Sequence, residues 1–410
     1  MEKLENRNNV RLTNQIEILN ILRKSHSTIT DIADKLDISF TAAKNIIEEM
    51  SDAKLVTISE SKQQLNKRGR SPSIVKLSTD NGIVCGIDMS GWDIKVFLCS
   101  LDCKIICQKE IPSVIFIQPD HLPQIKKIID ELLKEKAVKG KKLLSICISS
   151  PGLINQETSK YEEVFRIPKY KDMDPIEYFK KAFGVHVEMY NDIRLGALAE
   201  LKFGSFPDKP FNGIFMHIGT ACGYALILNG KIYKGSNGFA GEFPTFNEID
   251  VYSKTWAGRI YGIYDILRSE QKDSPVFIPE GDEKTVFENL IKRYEAKDKL
   301  LLTKIEESIK MNAIAIIGLC VALDIEYLVI EGPILCFGKE YIDSLSKTIK
   351  DYSKAKIRTK ILASSLQEDS SVLGTAYQAV SSYYLDALKK LTRKRINKEN
   401  FKINKTFYEI

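Results

Sequence analysis

One three-strand pattern occurs twice along this chain, and the repetition limits the folds open to it. The first copy opens with the apolar run Gly82-Ile83-Val84-Cys85-Gly86-Ile87-Asp88 and ends in the small-residue turn Met89-Ser90-Gly91. Ile94-Lys95-Val96-Phe97-Leu98-Cys99 and Lys104-Ile105-Ile106-Cys107 read as its second and third strands. The second copy is Gly213-Ile214-Phe215-Met216-His217-Ile218-Gly219-Thr220, then Gly223-Tyr224-Ala225-Leu226-Ile227-Leu228, a tight turn at Asn229-Gly230, and Lys231-Ile232-Tyr233. A repeated meander implies two similar lobes. The chain's 410 residues also exceed what one compact core organises, so two or three domains are expected. An amphipathic helix over residues 121–136 and the strand Leu143-Leu144-Ser145-Ile146-Cys147-Ile148 follow the first copy. Helical residues 310–322, the strand Tyr327-Leu328-Val329-Ile330 and the turn Glu331-Gly332-Pro333 follow the second.

The first 76 residues read differently. Leu12, Ile16, Leu19 and Leu22 mark one face of a helix. A short second helix follows, with Thr30 as its expected N-cap. After the link Asp37-Ile38, Ser39 caps a third helix whose Ala43, Ile46, Ile47 and Met50 face inward. Two short helices joined this tightly form a helix-turn-helix. Leu55-Val56-Thr57-Ile58-Ser59 and Ser73-Ile74-Val75-Lys76-Leu77 then flank a polar turn. Residues 61–76 carry Lys62, Lys67, Arg68, Arg70 and Lys76 and no acid, which suits a DNA-binding wing. Ser39, Thr41, Lys44 and Asn45 on the third helix are the candidates for base edges, with Arg68 and Arg70 for phosphate or the minor groove. Phe40 fits either a thymine methyl or the core. A three-helix interaction module is the competing reading of this segment.

Composition narrows the classes further. No apolar run approaches the roughly 20 residues of a bilayer span, and Met1 to Arg11 lacks the apolar core of a secretory signal. A cytoplasmic protein is expected. The eight cysteines sit mostly inside apolar runs, as reduced buried thiols do. The four-residue spacing of Cys99, Cys103 and Cys107 would also suit a metal, but it falls across a strand, turn and strand. Residues 389–405 carry eight basic residues against Glu399, a tail that reads as a frayed terminus or a basic helix touching DNA or a neighbouring subunit.

Several segments together carry a family resemblance. Arg68-Gly69-Arg70-Ser71-Pro72 resembles the basic link after the wing in repressors of the ROK family. Gly86-Ile87-Asp88 resembles the start of that family's first phosphate loop, and Ser150-Pro151-Gly152-Leu153-Ile154 its Pro-Gly-Pro turn. Asn191-Asp192 with Gly196-Ala197-Leu198-Ala199-Glu200 resembles the catalytic Asn-Asp and its helix. Gly235 with Ala240-Gly241-Glu242 resembles the Gly-x-x-Gly-x-Ala-Gly-Glu signature. The resemblance reaches from the first helices to about residue 385 and points to the repressor branch, the xylose and N-acetylglucosamine repressors. It implies an α/β chain: an N-terminal winged helix-turn-helix over 1–76, then a two-lobed actin-like, sugar-kinase (ribonuclease H-like) ATPase fold. The first lobe would span 77–192, completed by 368–388, the second 193–367, with a tail at 389–410.

The chain departs from the kinase pattern where phosphate would bind. The family's first turn reads Asp-x-Gly-Gly-Thr-Lys; here it is Asp88-Met89-Ser90-Gly91-Trp92-Asp93, with bulk at Trp92 and negative charge at Asp93. The second turn, Gly219-Thr220-Ala221-Cys222-Gly223, has a β-carbon where a glycine belongs, and Glu331-Gly332-Pro333 replaces a Gly-Gly turn. The family's zinc ligands are absent after Glu242, with Thr245 in place of histidine and no cysteine between Cys222 and Cys320. Neither a metal nor a nucleotide cofactor is expected. What survives is part of a sugar site: Asn191, Asp192, Glu242 and Thr245, with Asp192 in the place of the family's catalytic base. Alternatively, Asp192 only caps the helix that follows. The resulting expectation is a non-enzymatic repressor of carbohydrate genes, a homodimer or homotetramer on double-stranded operator DNA, answering to a sugar. An active sugar or amino-sugar kinase with a regulatory head, or a DNA binder without a ligand, are the rivals.

Overall fold

The computed structural model describes residues 2–60, 73–91, 93–112, 114, 116–155, 158, 160–164, 167–207, 209–219, 222–241, 262–268, 283–353, 356–366 and 370–396. The head contains α1 (Glu2–Lys24), β1 (Ser27–Thr28), α2 (Ile29–Leu36), α3 (Phe40–Asp52), β2 (Val56–Glu60) and β3 (Ser73–Leu77). Helix α2 begins earlier than Thr30 suggests. Thr28 is its cap: the Thr28 hydroxyl accepts from the Asp31 amide at 3.1 Å, and the Asp31 carboxylate accepts from the Thr28 amide at 3.3 Å. Thr30 has Ala33 three residues on and cannot form this reciprocal pair. The two hydrogen bonds from Thr28 hold the Asp31 carboxyl below its usual range. Asp37, in the left-handed conformation, ends α2, and the Ser39 hydroxyl accepts from the Ala42 amide at 3.2 Å to start α3. Ala43, Ile46, Ile47 and Met50 are buried, as their spacing requires, with Leu12, Leu19 and Leu22 of α1. Strands β2 and β3 pair antiparallel, and β1 adds to the outside of β3.

The body follows as β4 (Ile83–Asp88), β5 (Ile94–Cys99), β6 (Ile105–Ile111), α4 (His121–Leu132), β7 (Leu143–Ser150), β8 (Leu153–Ile154), β9 (Tyr161–Glu163), α5 (Pro175–Phe183), β10 (His186–Asn191) and α6 (Asp192–Phe203). Then come β11 (Gly213–Ile218), β12 (Cys222–Leu228), β13 (Lys231–Tyr233), α7 (Ile263–Arg268), α8 (Glu283–Glu295), α9 (Lys299–Leu323), β14 (Tyr327–Glu331), α10 (Gly338–Tyr352), β15 (Lys360–Ala363) and α11 (Ser370–Ile396). The duplication runs deeper than three strands. One sheet has the order β6-β5-β4-β7-β10 and the other β13-β12-β11-β14-β15. In each, the first three strands are antiparallel and the last two run parallel to the first. Between β12 and β13, Asn229 and Gly230 both take positive φ, 53° and 73°, as a tight hairpin turn demands.

Alternation along the strands assigns each sheet two apolar faces. Cys85, Ile87 and Val96 pack outward under α4 and α5, whereas Val84 and Phe97 face the middle of the molecule. In the second sheet, Met216 and Ile330 pack under α9 and α10, whereas Phe215 and Val329 face the middle. Helices α6 and α11 fill that middle layer. They cross so closely that a Cβ on Gly374 would fall 1.9 Å from the Leu195 carbonyl oxygen. Expected outcome: Gly374→Ala gains about 1 kcal/mol of helix propensity but loses about 1–3 kcal/mol or more to forced separation of the helices. Denaturant unfolding reads the net loss; unchanged or raised stability would contradict the close crossing.

Candidate functional site

Parallel pairing sets the polar ends of three strands side by side. Asp88 of β4 stands opposite Ser149 of β7, and Ser150 stands opposite Asn191 of β10. The crevice beyond the carboxyl ends of such strands is where this class of sheet holds ligands. Asp88, Ser149, Ser150, Asn191 and Asp192 are all buried there.

Asn191, not Asp192, caps α6. Its Oδ1 accepts from the Arg194 amide at 3.2 Å, and its Nδ2 donates to the Gly152 carbonyl at 3.2 Å, tying the helix to the Ser150-Pro151-Gly152 turn. Asp192 lies in the first turn, where its carboxylate accepts from the Ile193 amide at 2.9 Å and favours the helix dipole. Ser150 and the Tyr161 hydroxyl are 2.8 Å apart. Burial, with the nearby Asp192 charge, pushes the Tyr161 phenol well up. Tyr161 is therefore a neutral hydroxyl beside the carboxylate, a pairing that suits a polyhydroxylated ligand.

Arg194 is a residue that sequence reasoning missed. It is buried, and its Nη2 donates to the carbonyls of Gly238 and Ala240, the latter at 3.3 Å. This holds the Gly235–Gly241 loop against the start of α6, just before Glu242. The one sequence cue was an arginine inside the otherwise apolar run Ile193-Arg194-Leu195-Gly196-Ala197-Leu198-Ala199. Glu242 and Thr245 themselves lie outside the described residues, as do Trp92, Thr220 and Ala221.

A second polar cluster joins the lobes across the crevice. The Ser371 hydroxyl donates to Asp88 at 3.0 Å and lies 2.7 Å from the Ser149 hydroxyl. The Ser370 hydroxyl donates to Glu331 at 3.1 Å, and Glu331 also bonds His217 Nδ1. The His217 ring packs over both nearby glycines: a Cβ on Gly219 would meet its Nε2 at 2.5 Å, and one on Gly332 its Cε1 at 2.9 Å. The sequence shows Glu331 in place of a glycine but not its partner His217, because the two are brought together only by β11–β14 pairing.

In the head, Ser39, Thr41, Lys44 and Asn45 lie together on the exposed face of α3. Phe40 is 51% exposed on that same face, so it is not a core residue. Arg11 braces the helix from behind: its Nε donates to Glu49 at 2.7 Å and its Nη2 to the Asn45 carbonyl at 3.3 Å. Arg68, Arg70 and residues 397–410 of the basic tail fall outside the described residues. All eight cysteines are free thiols. Burial raises Cys99 well above its ordinary value and Cys103 to about 11, so both are protonated thiols in the free chain. Among the described residues, no cluster of three or more His, Cys, Asp or Glu could hold a metal ion. No described helix is long and apolar enough to cross a membrane.

Strand β10, which carries Asn191, is clamped to α11 through Glu188. Burial alone would raise this carboxyl, but hydrogen bonds from His186 and Ser382, with another from Gln378, leave it below its usual range. The Glu188 hydrogen bond in turn raises His186, against desolvation. A raised folded value means that the stabilisation is complete below the ordinary 6.5 of histidine and is lost as pH rises through the folded value. Expected outcome: urea stability measured from pH 5.5 to 8.5 falls over that window in the native chain, and His186→Asn removes that component. An unchanged slope in the variant rejects the pair as its source.

Comparison with known proteins fits this geometry. Residues 84–245 match the ROK family. The chain carries a ROK family domain. Its relatives include the xylose repressors of Lactiplantibacillus pentosus, 23% identical over 84% of this chain and 83% of that protein, and of Caldicellulosiruptor bescii, 26% identical over 52% and 53%. A further relative is the transcriptional dual regulator NagC of Escherichia coli, 25% identical over 52% and 51%. The chain thus spans little more than half of the Caldicellulosiruptor and Escherichia coli relatives it matches. Among solved structures, a ROK family transcriptional regulator homologous to the Escherichia coli MLC protein superposes with TM-score 0.73 at 18% identity, over 94% of this chain and all of that one. A ROK family glucokinase from Streptomyces griseus superposes with TM-score 0.55 at 15% identity, over 73% and 99%. The body has the actin-like sugar-kinase fold of this family.

Proposed function

We propose that this chain is a transcriptional repressor whose winged helix-turn-helix head answers to a sugar or sugar derivative bound in the body. The carrying observation is the pairing of two surfaces in one molecule. Thr41, Lys44 and Asn45 form an exposed polar face on α3 beside the β2–β3 hairpin. Asn191 and Asp192, at the carboxyl end of β10, resemble part of a sugar site, and the Tyr161 hydroxyl lies close enough to feel the Asp192 charge. Relatives named for xylose and N-acetylglucosamine repression support the same reading.

In this reading residues 1–76 are the head, 77–192 the first lobe and 193–367 the second, with a basic segment at 389–410 whose first residues, 389–396, continue α11. The packing of α11 on β4 and β7 supports assigning 368–388 to the first lobe. Helix α3 enters the major groove with Ser39, Thr41, Lys44 and Asn45 toward the bases, while Arg68 and Arg70 of the wing meet phosphate. Asn191, Asp192, Glu242 and Thr245 hold the sugar. A homodimer, or a homotetramer built from two, on a palindromic operator is the assembly proposed, and Ile314 and Val321 on the exposed side of the uncharged C-terminal half of α9 (311–323) suit contact with a second copy. Phosphoryl transfer is not part of the function: Trp92 and Asp93 replace the small and basic residues of the first phosphate turn, and Glu331, bonded to Ser370 and His217, replaces a glycine of the turn near the second lobe's nucleotide site. The kinase reading retains one favourable observation, the Asp192 carboxylate in the crevice. Sugar-dependent ATP turnover abolished by Asp192→Asn would establish it.

Two outcomes test the repressor. Lys44→Ala or Asn45→Ala lowers the preference for the operator over random DNA by about 1–3 kcal/mol per lost base contact; equal losses on both DNAs exclude base contact there. Arg68→Ala with Arg70→Ala weakens all DNA binding and reduces the salt slope by about one per lost phosphate contact. A slope that does not change removes the wing from the interface.

A further inference from the structure

We propose that α11 acts as a rod that carries the relative position of the two lobes to the DNA-reading head, through a seam in which Arg23 of α1 stacks on Tyr377 and Tyr384. This rests on the repressor reading and names its route of regulation.

The rod begins in the crevice. Successive residues at its start hold different lobes: Ser371 donates to Asp88 at the end of β4, and Ser370 donates to Glu331 at the end of β14. A change in the opening between the lobes has to break or stretch one of these two bonds, or move the helix. One turn on, Gly374 lies against the Leu195 backbone of α6, the helix that Asn191 caps. Gln378 and Ser382 then bond Glu188 of β10, the strand that ends in Asn191. The helix is thus tied twice to the elements that position the sugar site.

The far part of the rod meets the head. Tyr377 and Tyr384 are seven residues apart, two helical turns, and so share one face. The Arg23 guanidinium lies 4.5 Å from the Tyr377 ring centre and 5.6 Å from that of Tyr384. The Tyr377 hydroxyl donates to Asn20 Oδ1 at 3.4 Å, and Lys202 at the end of α6 lies 5.5 Å from the same ring. Leu12, Leu19 and Leu22 of α1 belong to one continuous apolar core with Leu195 of α6 and Tyr384 and Leu388 of α11. The head is therefore docked on the body, and Ser371 is separated from Tyr384 by about 20 Å of helix.

The seam is also built to yield. Arg23 Nε and the Tyr384 hydroxyl are buried, and among the described residues neither has a hydrogen-bond partner. Each gains hydrogen bonds to water when the seam opens, so the docked arrangement carries a penalty that the open one lacks. Such a balance permits two states that a modest displacement of α11 selects between.

Amide hydrogen exchange in the full chain tests this without any ligand. Ser371→Ala touches no residue of the head, yet the rod requires exchange across residues 12–24 to rise by roughly fivefold or more, within the usual range of coupling. Asp88→Asn, which removes the charge that Ser371 bonds, is the second variant and gives the same result. If both variants speed exchange only near residues 88–91 and 370–375, α11 is a passive strut and the proposal falls. The second arm uses a panel of hexoses and pentoses with genomic operator DNA. Arg23→Gln keeps the heat of sugar binding but collapses the sugar-induced change in operator affinity from about tenfold to under twofold. A full sugar response in Arg23→Gln overturns the seam. A native chain that binds no operator overturns the repressor reading instead, while the exchange arm still decides the rod.

Discussion

The molecule depends on one contact between two helix backbones. At Gly374 the crossing of α11 over α6 leaves no room for even a methyl group, and Gly196 nearby leaves just enough for the Phe215 ring and the Ser370 hydroxyl. That approach sets the thickness of the middle layer between the sheets. With the layer thin, the start of α11 reaches the carboxyl ends of β4 and β14 together, and two adjacent serines bond carboxylates from different lobes. A thicker layer would part Asp88 from Ser371 and take one of its donors from a buried carboxylate, an expensive outcome in a low-dielectric site.

The crevice polar groups are consequently committed to one another. Asp88 is answered by Ser371 and the Ser90 amide, and Glu331 by Ser370 and His217. A fold that handles triphosphate needs bare backbone amides at these turns, open to anionic oxygens. Here Glu331 and its partner His217 stand at the second-lobe turns, and the ring of His217 packs over Gly219 and Gly332. The sugar side differs. Asn191 caps α6, and Tyr161 and Asp192 bring a neutral hydroxyl and a carboxylate to the same end of the sheet. On the repressor reading, the half of the crevice that recognises has been kept, and the half that would react has been filled.

Much of this was legible in the chain itself, for physical reasons. Strand period and turn chemistry are local, so the two meanders, the Asn229-Gly230 turn and the inward face of α3 could be read directly. Capping was legible only where a single residue decides it: Ser39 was found, whereas Thr28 needs its partner Asp31, and Asn191 was overshadowed by the more acidic Asp192. β10 and β15, short parallel strands with mixed polar residues, give little periodicity. The His217–Glu331 and Arg23–Tyr377 pairs link residues over a hundred positions apart, so only the paired sheets and the helix crossing reveal them. The resemblance located Asn191 and Asp192 but carried no information about Arg194, whose role is to hold a loop.

On the repressor reading, a docked head changes what regulation by a ligand must accomplish. A head on a loose tether would search many orientations, and a dimer would bind two half-sites weakly because ordering costs entropy. A head that shares a core with the body is placed in advance, so the spacing between paired recognition helices is set by the body. Half-site spacing is unforgiving, and a small rotation of α1 is enough to take α3 out of register with the groove. The ligand then need not break the head or the body. It has only to favour one opening of the lobes by a few kcal/mol, the differential affinity that moves a two-state equilibrium decisively. A seam with two unsatisfied polar groups keeps the alternative within that range, whereas a fully bonded one would place it out of reach.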